Sequence, residues 1–279
     1  MITIKKALDD ARRELSVSRV TDCPSLEASL LLSHITGYSK VQLITHDCDL
    51  LSPDNYSLYQ KLISRRKAGY PVAYLTGHKE FWGLDLKVTE ATLIPRPDTE
   101  TLVQSALDAC VSGKVLDLGT GSGAIILALK SEYGDSIEAY ACDYSKAALE
   151  VAMSNAQSLN LKVNFIHSDW LSSIDRSLRF SLIVSNPPYI EKDDPHLLQS
   201  SLPFEPITAL ASGADGLDDI RIIAEKSFAF LNKGAPLMIE HGYKQAQAVC
   251  EIFKSFGYVN AHSIQDLEGR DRVSIAYRP

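Results

Sequence analysis

Apolar residues in the first 70 positions recur at helical spacing. Ile4, Leu8, Ala11 and Leu15 form one amphipathic stripe. Pro24 opens a second predicted helix, Leu26 to His34, which Gly37 ends. A short helical stretch follows over Lys40 to Thr45, and Ser52-Pro53 starts another that runs through Leu58, Leu62 and Ile63 toward Gly69. Helix after helix with short connections predicts a small bundle over residues 1–70. The period then changes. Phe81-Trp82-Gly83-Leu84-Asp85-Leu86-Lys87-Val88 alternates as a hairpin does, with Gly83 near the turn. Ile94-Pro95-Arg96-Pro97 reads as extended, because proline excludes helix from itself and its predecessor. Residues 71–97 are therefore expected to be hairpin and linker. Asp98 is expected to cap the next helix, with Thr99 and Glu100 in its first turn.

From Lys114 onward strands and helices alternate, which predicts an α/β fold with a parallel, doubly wound sheet over residues 98–279. Val115–Leu118, Ile137–Cys142, Val163–Ile166, Phe180–Ser185 and Pro236–Ile239 are the predicted parallel strands. Tyr258–Ser263 and Val273–Tyr277 are expected to close the sheet as an antiparallel pair.

Composition narrows the class. A chain of 279 residues, 45% hydrophobic and 23% charged, suits a globular protein with one large and one small domain. No apolar run is long enough to span a bilayer, and Met1-Ile2-Thr3-Ile4-Lys5-Lys6 has no signal-peptide core. Five cysteines without a C-x-x-C pair suggest neither a disulfide framework nor a metal site. A cytoplasmic, membrane-free protein is expected. The net charge of −7 speaks against tight binding to nucleic-acid phosphates. The charges of the helical region, Arg12, Arg13, Arg65, Arg66 and Lys67, read as a solvated face.

Candidate chemistry gathers at predicted strand ends. Gly119-Thr120-Gly121-Ser122-Gly123 lies between a strand and a helix, where glycines let backbone N–H groups approach a ligand. Asp143, at the next strand end, is placed for ribose hydroxyls. Alone, this pair fits NAD as well as S-adenosylmethionine. The fourth strand ends in Asn186-Pro187-Pro188-Tyr189, a rigid corner with an amide, free backbone acceptors and an aromatic ring. Such a corner suits a planar nitrogen bearing hydrogens, and Asp169-Trp170 on the strand end between suits an adenine. A dehydrogenase has no use for an N–H₂ grip. The joint pattern implies an S-adenosylmethionine-dependent N-methyltransferase. His167, beside the loop, reads as a structural hydrogen-bonder rather than a general base.

Several stretches carry a closer resemblance: Pro71 to Gly77, Phe81-Trp82-Gly83, Leu93 to Glu100, Asp117 to Gly123, Asn186 to Tyr189, Glu205-Pro206 with Ala209-Leu210, and Asp215-Gly216-Leu217. Together they resemble the peptide chain release factor glutamine methyltransferase family (the HemK type) over nearly the whole chain. The resemblance implies a class I methyltransferase fold, Rossmann-like, behind an N-terminal helical domain that recognises the substrate. It implies S-adenosylmethionine as cofactor and, as partner, class 1 release factors, methylated on the glutamine amide of their Gly-Gly-Gln motif. Carried over by motif, Gly119, Thr120, Gly121, Ser122, Gly123, Asp143, Trp170 and Asn186 would bind cofactor. Asn186, Pro187, Pro188 and Tyr189 would bind the glutamine, with Asn186, Pro187 and Tyr189 acting on it, no metal, and the enzyme a monomer. Ser212 departs from the family, which tends to carry glycine there. A ribosomal-protein glutamine methyltransferase shares the loop and corner, and a nucleic-acid N-methyltransferase would use a similar corner. The Leu93 to Glu100 stretch and the bundle favour the release-factor branch over the first, and the acidic charge weighs against the second.

Overall fold

Thr3 and Ser52 each accept a backbone N–H with the side chain and so start the two longest N-terminal helices, α1 (Ile4–Ser18) and α4 (Pro53–Lys67). Between them lie α2 (Pro24–Thr36), ended by Gly37 at φ 72°, and α3 (Lys40–Thr45), opened by a capping box between Ser39 and Gln42. A fifth helix, α5 (Val72–Thr76), follows where the sequence suggested the bundle had ended. The computed structural model describes residues 2–199 and 201–279; Met1, the first residue of the expected 1–70 domain, and Ser200 lie outside the described residues.

The chain divides into two compact units, Met1–His78 with Leu198–Phe204, and Lys79–Leu197 with Glu205–Pro279. The first has its own core, in which Ile4, Ala7, Ala11 and Leu15 of α1 meet Leu31, Leu32, Leu43, Tyr59 and Ile63. Arg66 corrects the expectation of a uniformly solvated charged face. It is buried, its Nε donates to Glu27 at 2.7 Å, and its guanidinium also reaches the Val20 carbonyl. Arg12, Arg13, Arg65 and Lys67 are exposed.

A hairpin follows, β1 (His78–Phe81) and β2 (Leu84–Lys87), which from Lys79 onward belongs to the second unit. Asp98 is not the expected cap. Pro97–Thr99 forms a 3₁₀ turn, Thr99 precedes α6 (Glu100–Asp108), and the Asp98 carboxylate pairs with Arg272 at 2.9 Å. Seven strands then build one sheet: β3 (Gly113–Leu118), β4 (Ile137–Asp143), β5 (Val163–His167), β6 (Leu182–Ser185), β7 (Pro236–Glu240), β8 (Val259–Gln265) and β9 (Asp271–Tyr277), in the order β5-β4-β3-β6-β7-β9-β8. β3 to β7 run parallel, while β9 is antiparallel to β7 and to β8. The helices α7 (Ala124–Tyr133), α8 (Lys146–Ser158), α9 (Asp218–Phe230) and α10 (Ala246–Ser255) complete the unit.

Central strands bury both faces, as parallel sheets require. Leu182, Val184 and Met238 join one core with Leu102, Ile126 and Leu127, while Ile183, Leu237 and Ile239 join the other with Ile220, Ile223 and Phe253. Asn155 of α8 ties the hairpin to the rest. It exchanges hydrogen bonds with the Lys87 N–H and carbonyl at 2.8 and 3.0 Å, and donates to the Ser122 carbonyl at 2.8 Å. Chain order reverses at β3, whose neighbours are β4 and β6. Open α/β sheets bind ligands beyond the carboxyl ends of the strands at such a point. Among the described residues no helix is long and apolar enough to cross a membrane.

Candidate active site

At that carboxyl edge lies a cavity of about 410 Å³. Its lining combines the loop after β3 (Gly119 to Ser122), Asp143, Asp169 and Trp170, Asn186 and Pro188, and a roof from Pro95, Arg96, Pro206 and Thr208. A shallower hollow, along Glu138 and Lys162, contains none of these groups.

The loop is held from below. Asp117 is fully buried, and its Oδ2 accepts from the Thr120 hydroxyl at 2.6 Å. Burial pushes its pKa up to about 7, opposed by the Thr120 hydrogen bond. Gly119 and Gly121 have φ of 70° and 55°, a region other residues rarely enter. A Cβ on Gly119 would also come 3.2 Å from the Trp170 ring.

Asp143 accepts from the Gly121 N–H through Oδ2 and from the Ser145 N–H through Oδ1, each at 2.8 Å. Burial raises its pKa, with both amides pulling the other way. Each oxygen keeps a lone pair, and the residue lines the cavity. Trp170 sits at φ 49°, with its carbonyl near Cys142 Sγ at 3.3 Å and its indole Nε1 donating to Asp219 Oδ1 at 3.1 Å. Asp219 also receives the Ser212 hydroxyl at 2.6 Å and returns its own N–H to it at 2.9 Å. The serine where the resemblance led one to expect glycine therefore anchors the wall residue Asp219.

Asn186 follows directly on β6. Its Nδ2 donates to Thr99 Oγ1 at 3.1 Å, which leaves Oδ1 as an acceptor at the cavity. Three expected contributors stand elsewhere. Gly123 does not line the cavity; its φ of 86° opens α7, and a Cβ there would press on Leu127 and Ala152. Pro187 is buried and is not in the lining. Tyr189 turns into the core, with its hydroxyl 3.5 Å from Glu240 Oε1 and its carbonyl receiving Gln245 Nε2 at 3.0 Å. Its pKa is raised by burial. His167 also stays out of the lining, with Nε2 on the Tyr144 carbonyl at 2.8 Å. Glu100 accepts the Trp82 N–H at 3.2 Å.

Two groups were given no role by the sequence reading, although Glu205 lies in one of the stretches that carry the resemblance. Glu205 is buried, and its carboxylate takes the Ile94 N–H at 3.1 Å and the Arg96 guanidinium at 2.5 Å, fastening the extended linker under the roof. Glu240 is fully buried at the end of β7, and only its following an apolar strand, as Asp117 and Asp143 do, could have flagged it. Burial raises its pKa to about 7, while the Thr99 hydroxyl, the Arg272 charge and the Tyr189 hydroxyl act downward.

Residues 97–201 match the methyltransferase small domain family, and residues 6–77 match the PrmC N-terminal domain family. Among solved structures, a methyltransferase from Pyrococcus furiosus superposes with a TM-score of 0.53 at 21% identity, covering 80% of this chain and 98% of that one. The hMettl16 catalytic domain, crystallised with MAT2A 3′UTR hairpin 6, gives 0.56 at 15% identity, covering 81% and 82%. The sheet order and the ligand-ready edge beyond it are those of a class I methyltransferase. Curated relatives narrow this. Proteins named release factor glutamine methyltransferase are 43% identical in Vibrio cholerae (98% of this chain, 96% of the relative), 44% in Burkholderia pseudomallei (92% and 93%) and 41% in Escherichia coli K12 (95% and 96%). The chain belongs to the release factor glutamine methyltransferase family.

Proposed function

We propose that this chain transfers the methyl group of S-adenosylmethionine to the side-chain amide nitrogen of the glutamine in the Gly-Gly-Gln motif of a class 1 peptide chain release factor. The observation that carries this reading is the commitment of Asn186 Nδ2 to Thr99, which leaves an oriented oxygen at the cavity. The groups present fit the cofactor. The glycine backbone clears space that a Cβ would take, Asp143 retains acceptor capacity for ribose hydroxyls, and Trp170 offers a ring face. Gly119 to Ser122, Asp143, Trp170 and Asn186 would hold it. When bound, S-adenosylmethionine supplies an electrophilic methyl group on a sulfonium.

The chain's own task is to prepare a poor nucleophile. An amide lone pair is delocalised into its carbonyl. Asn186 Oδ1, at the cavity just past the last paired residue of β6, accepts an N–H of the amide, draws density onto nitrogen and fixes its direction. Displacement then needs no strong base, and the proton released from nitrogen passes to water. Tyr189 serves by bracing the corner through Gln245 and Glu240.

The helical unit selects the partner. Leu26 and Leu30 of α2, one turn apart, and Val41 and Ile44 of α3 are exposed apolar residues on that unit. A small pocket cannot recognise a whole protein, so a second surface must supply affinity. We read the enzyme as a cytoplasmic monomer that acts on protein; the net charge of −7 supports a partner other than bare nucleic acid. Incubation with a release factor and labelled S-adenosylmethionine, followed by peptide mapping, tests the reading. One methyl on the motif glutamine is expected; label found instead on a ribosomal protein would overturn the substrate assignment.

A further inference from the structure

We propose that Arg96 receives the α-carboxylate of S-adenosylmethionine and makes the cavity selective for a cofactor that carries that group. The inference rests on the cofactor placement read above, and it gives a ligand role to a residue which that reading used only to build the roof.

Charge singles this residue out. Among the described residues that line the cavity, Arg96 is the only lysine or arginine, while Asp143, Asp169 and Asp219 are the acids. A ligand carboxylate entering that space meets three groups of its own sign and one of the opposite sign. S-adenosylmethionine carries a sulfonium, an ammonium and one carboxylate. Its two cationic groups have several acidic neighbours to choose from, and its anionic group has a single basic one.

The guanidinium is held with donors to spare. Arg96 is extended, at φ −97° and ψ 144°, between Pro95 and Pro97, so the main chain is stiff on both sides. Its Nη2 donates to Glu205 Oε1 at 2.5 Å; the Glu205 side chain is wholly enclosed, whereas that of Arg96 keeps 31% of its surface exposed. The other Glu205 oxygen takes the Ile94 N–H at 3.1 Å, so the carboxylate that orients Arg96 is itself fixed. Among the described residues this is the one hydrogen bond of the Arg96 side chain. Nε and Nη1 remain, on a planar fork whose geometry matches a carboxylate.

Position along the chain agrees. With the adenine against Trp170, the ribose on Asp143 and the methyl facing Asn186, the amino-acid tail is left on the far side of that corner. Asn186 Nδ2 donates to Thr99 Oγ1 at 3.1 Å, and the Thr99 N–H donates to the Arg96 carbonyl at 3.1 Å. A single 3₁₀ turn thus joins the residue that faces the methyl to the residue that bears the charge.

The test is calorimetric titration of the full chain, without release factor, using S-adenosylmethionine and its decarboxylated analogue, which keeps the adenosine, the sulfonium and the ammonium. Wild type should bind the intact compound about ten- to a hundredfold more tightly, the worth of one charge-assisted contact. Arg96→Gln keeps a donor for Glu205 but neither charge nor fork. It should lose affinity for the intact compound by about that factor and bind the analogue as wild type does, so the preference collapses. Arg96→Lys, which keeps the charge alone, should retain part of it. A wild-type protein that shows no preference overturns the proposal. So does an Arg96→Gln variant that keeps the preference, or one that loses both ligands equally, as a mere strut for the linker would. Unchanged affinity for both ligands with a raised KM for release factor also overturns it, and gives Arg96 to the protein substrate. If Arg96→Gln does not fold, Arg96→Lys decides: an undiminished preference overturns the proposal. Wild-type protein that shows the preference yet leaves release factor unmethylated overturns the functional reading and leaves this inference standing.

Discussion

The indole Nε1 of Trp170 donates to Asp219 Oδ1 across 3.1 Å, so the ring that walls the cavity is pinned to the first turn of α9. Asp219 is held in turn by Ser212. Asp219→Ala should free the ring and weaken S-adenosylmethionine binding by about 1.5–3 kcal/mol, the range of one hydrogen bond to a charged group. Calorimetric titration that finds the wild-type Kd would show that Trp170 is held well enough by its own backbone.

Asn186→Ala should keep cofactor affinity within a few-fold and lose methyl transfer by about a hundredfold or more, since its oxygen acts on the substrate amide. Turnover close to that of the wild type would sink the assignment of the corner.

Asp143 faces the cavity with both oxygens already engaged by backbone amides. Asp143→Ala removes the ribose acceptor and loosens Gly121 together. Cofactor affinity should fall by about 1–3 kcal/mol. An unchanged Kd would mean that the ribose is gripped elsewhere.

Burial pushes the Glu240 carboxyl in the folded protein up to about 7 from its ordinary 4.5. Between those values the native state holds a proton that the unfolded chain has released, so stability declines as pH rises through that window and levels off above it. Asp117, also raised to about 7 by burial, adds to the same slope. Glu240→Gln should therefore gain Tm relative to wild type as pH goes from about 5 to 8, with a shallower slope of its own. A gap between the two proteins that does not change with pH would refute this.

Val41→Asp combined with Ile44→Asp places charge on an exposed face of the helical unit without touching its core. The expected result is a KM for intact release factor raised by about tenfold or more, with turnover of a short Gly-Gly-Gln peptide unaltered. Equal kinetics on the intact protein would remove α3 from the recognition surface.

Local chemistry made much of this fold readable. Proline, glycine and serine punctuation put α2, α3 and α4 within a few residues of their observed ends, because caps act on their immediate neighbours. Carboxylates and glycines at strand ends marked the cavity for the same reason. Contacts across long sequence separation were not readable. Arg66 looked like one more solvated charge, and its partner Glu27 is on another helix. Asp98 looked like a cap, but Pro97 begins a 3₁₀ turn and Arg272 claims the carboxylate. Tyr189 looked like a platform for substrate, yet it is partly buried, packs against the core and does not line the cavity. Glu240 and Tyr189 meet only because β6 and β7 are neighbours in the sheet, a fact of topology that no local pattern encodes.

Asn155 has one more consequence, visible on the timescale of hydrogen exchange. A two-stranded hairpin is marginal by itself, and its amides would ordinarily exchange through local fraying. The Lys87 N–H, however, is bound by a side chain whose other hydrogens are committed to Lys87 and to the glycine loop through Ser122. Opening the hairpin at that point strands a buried amide against the loop. Lys87 should therefore exchange slowly, in step with the helix that carries Asn155, and a ligand that tightens the glycine loop should slow it further.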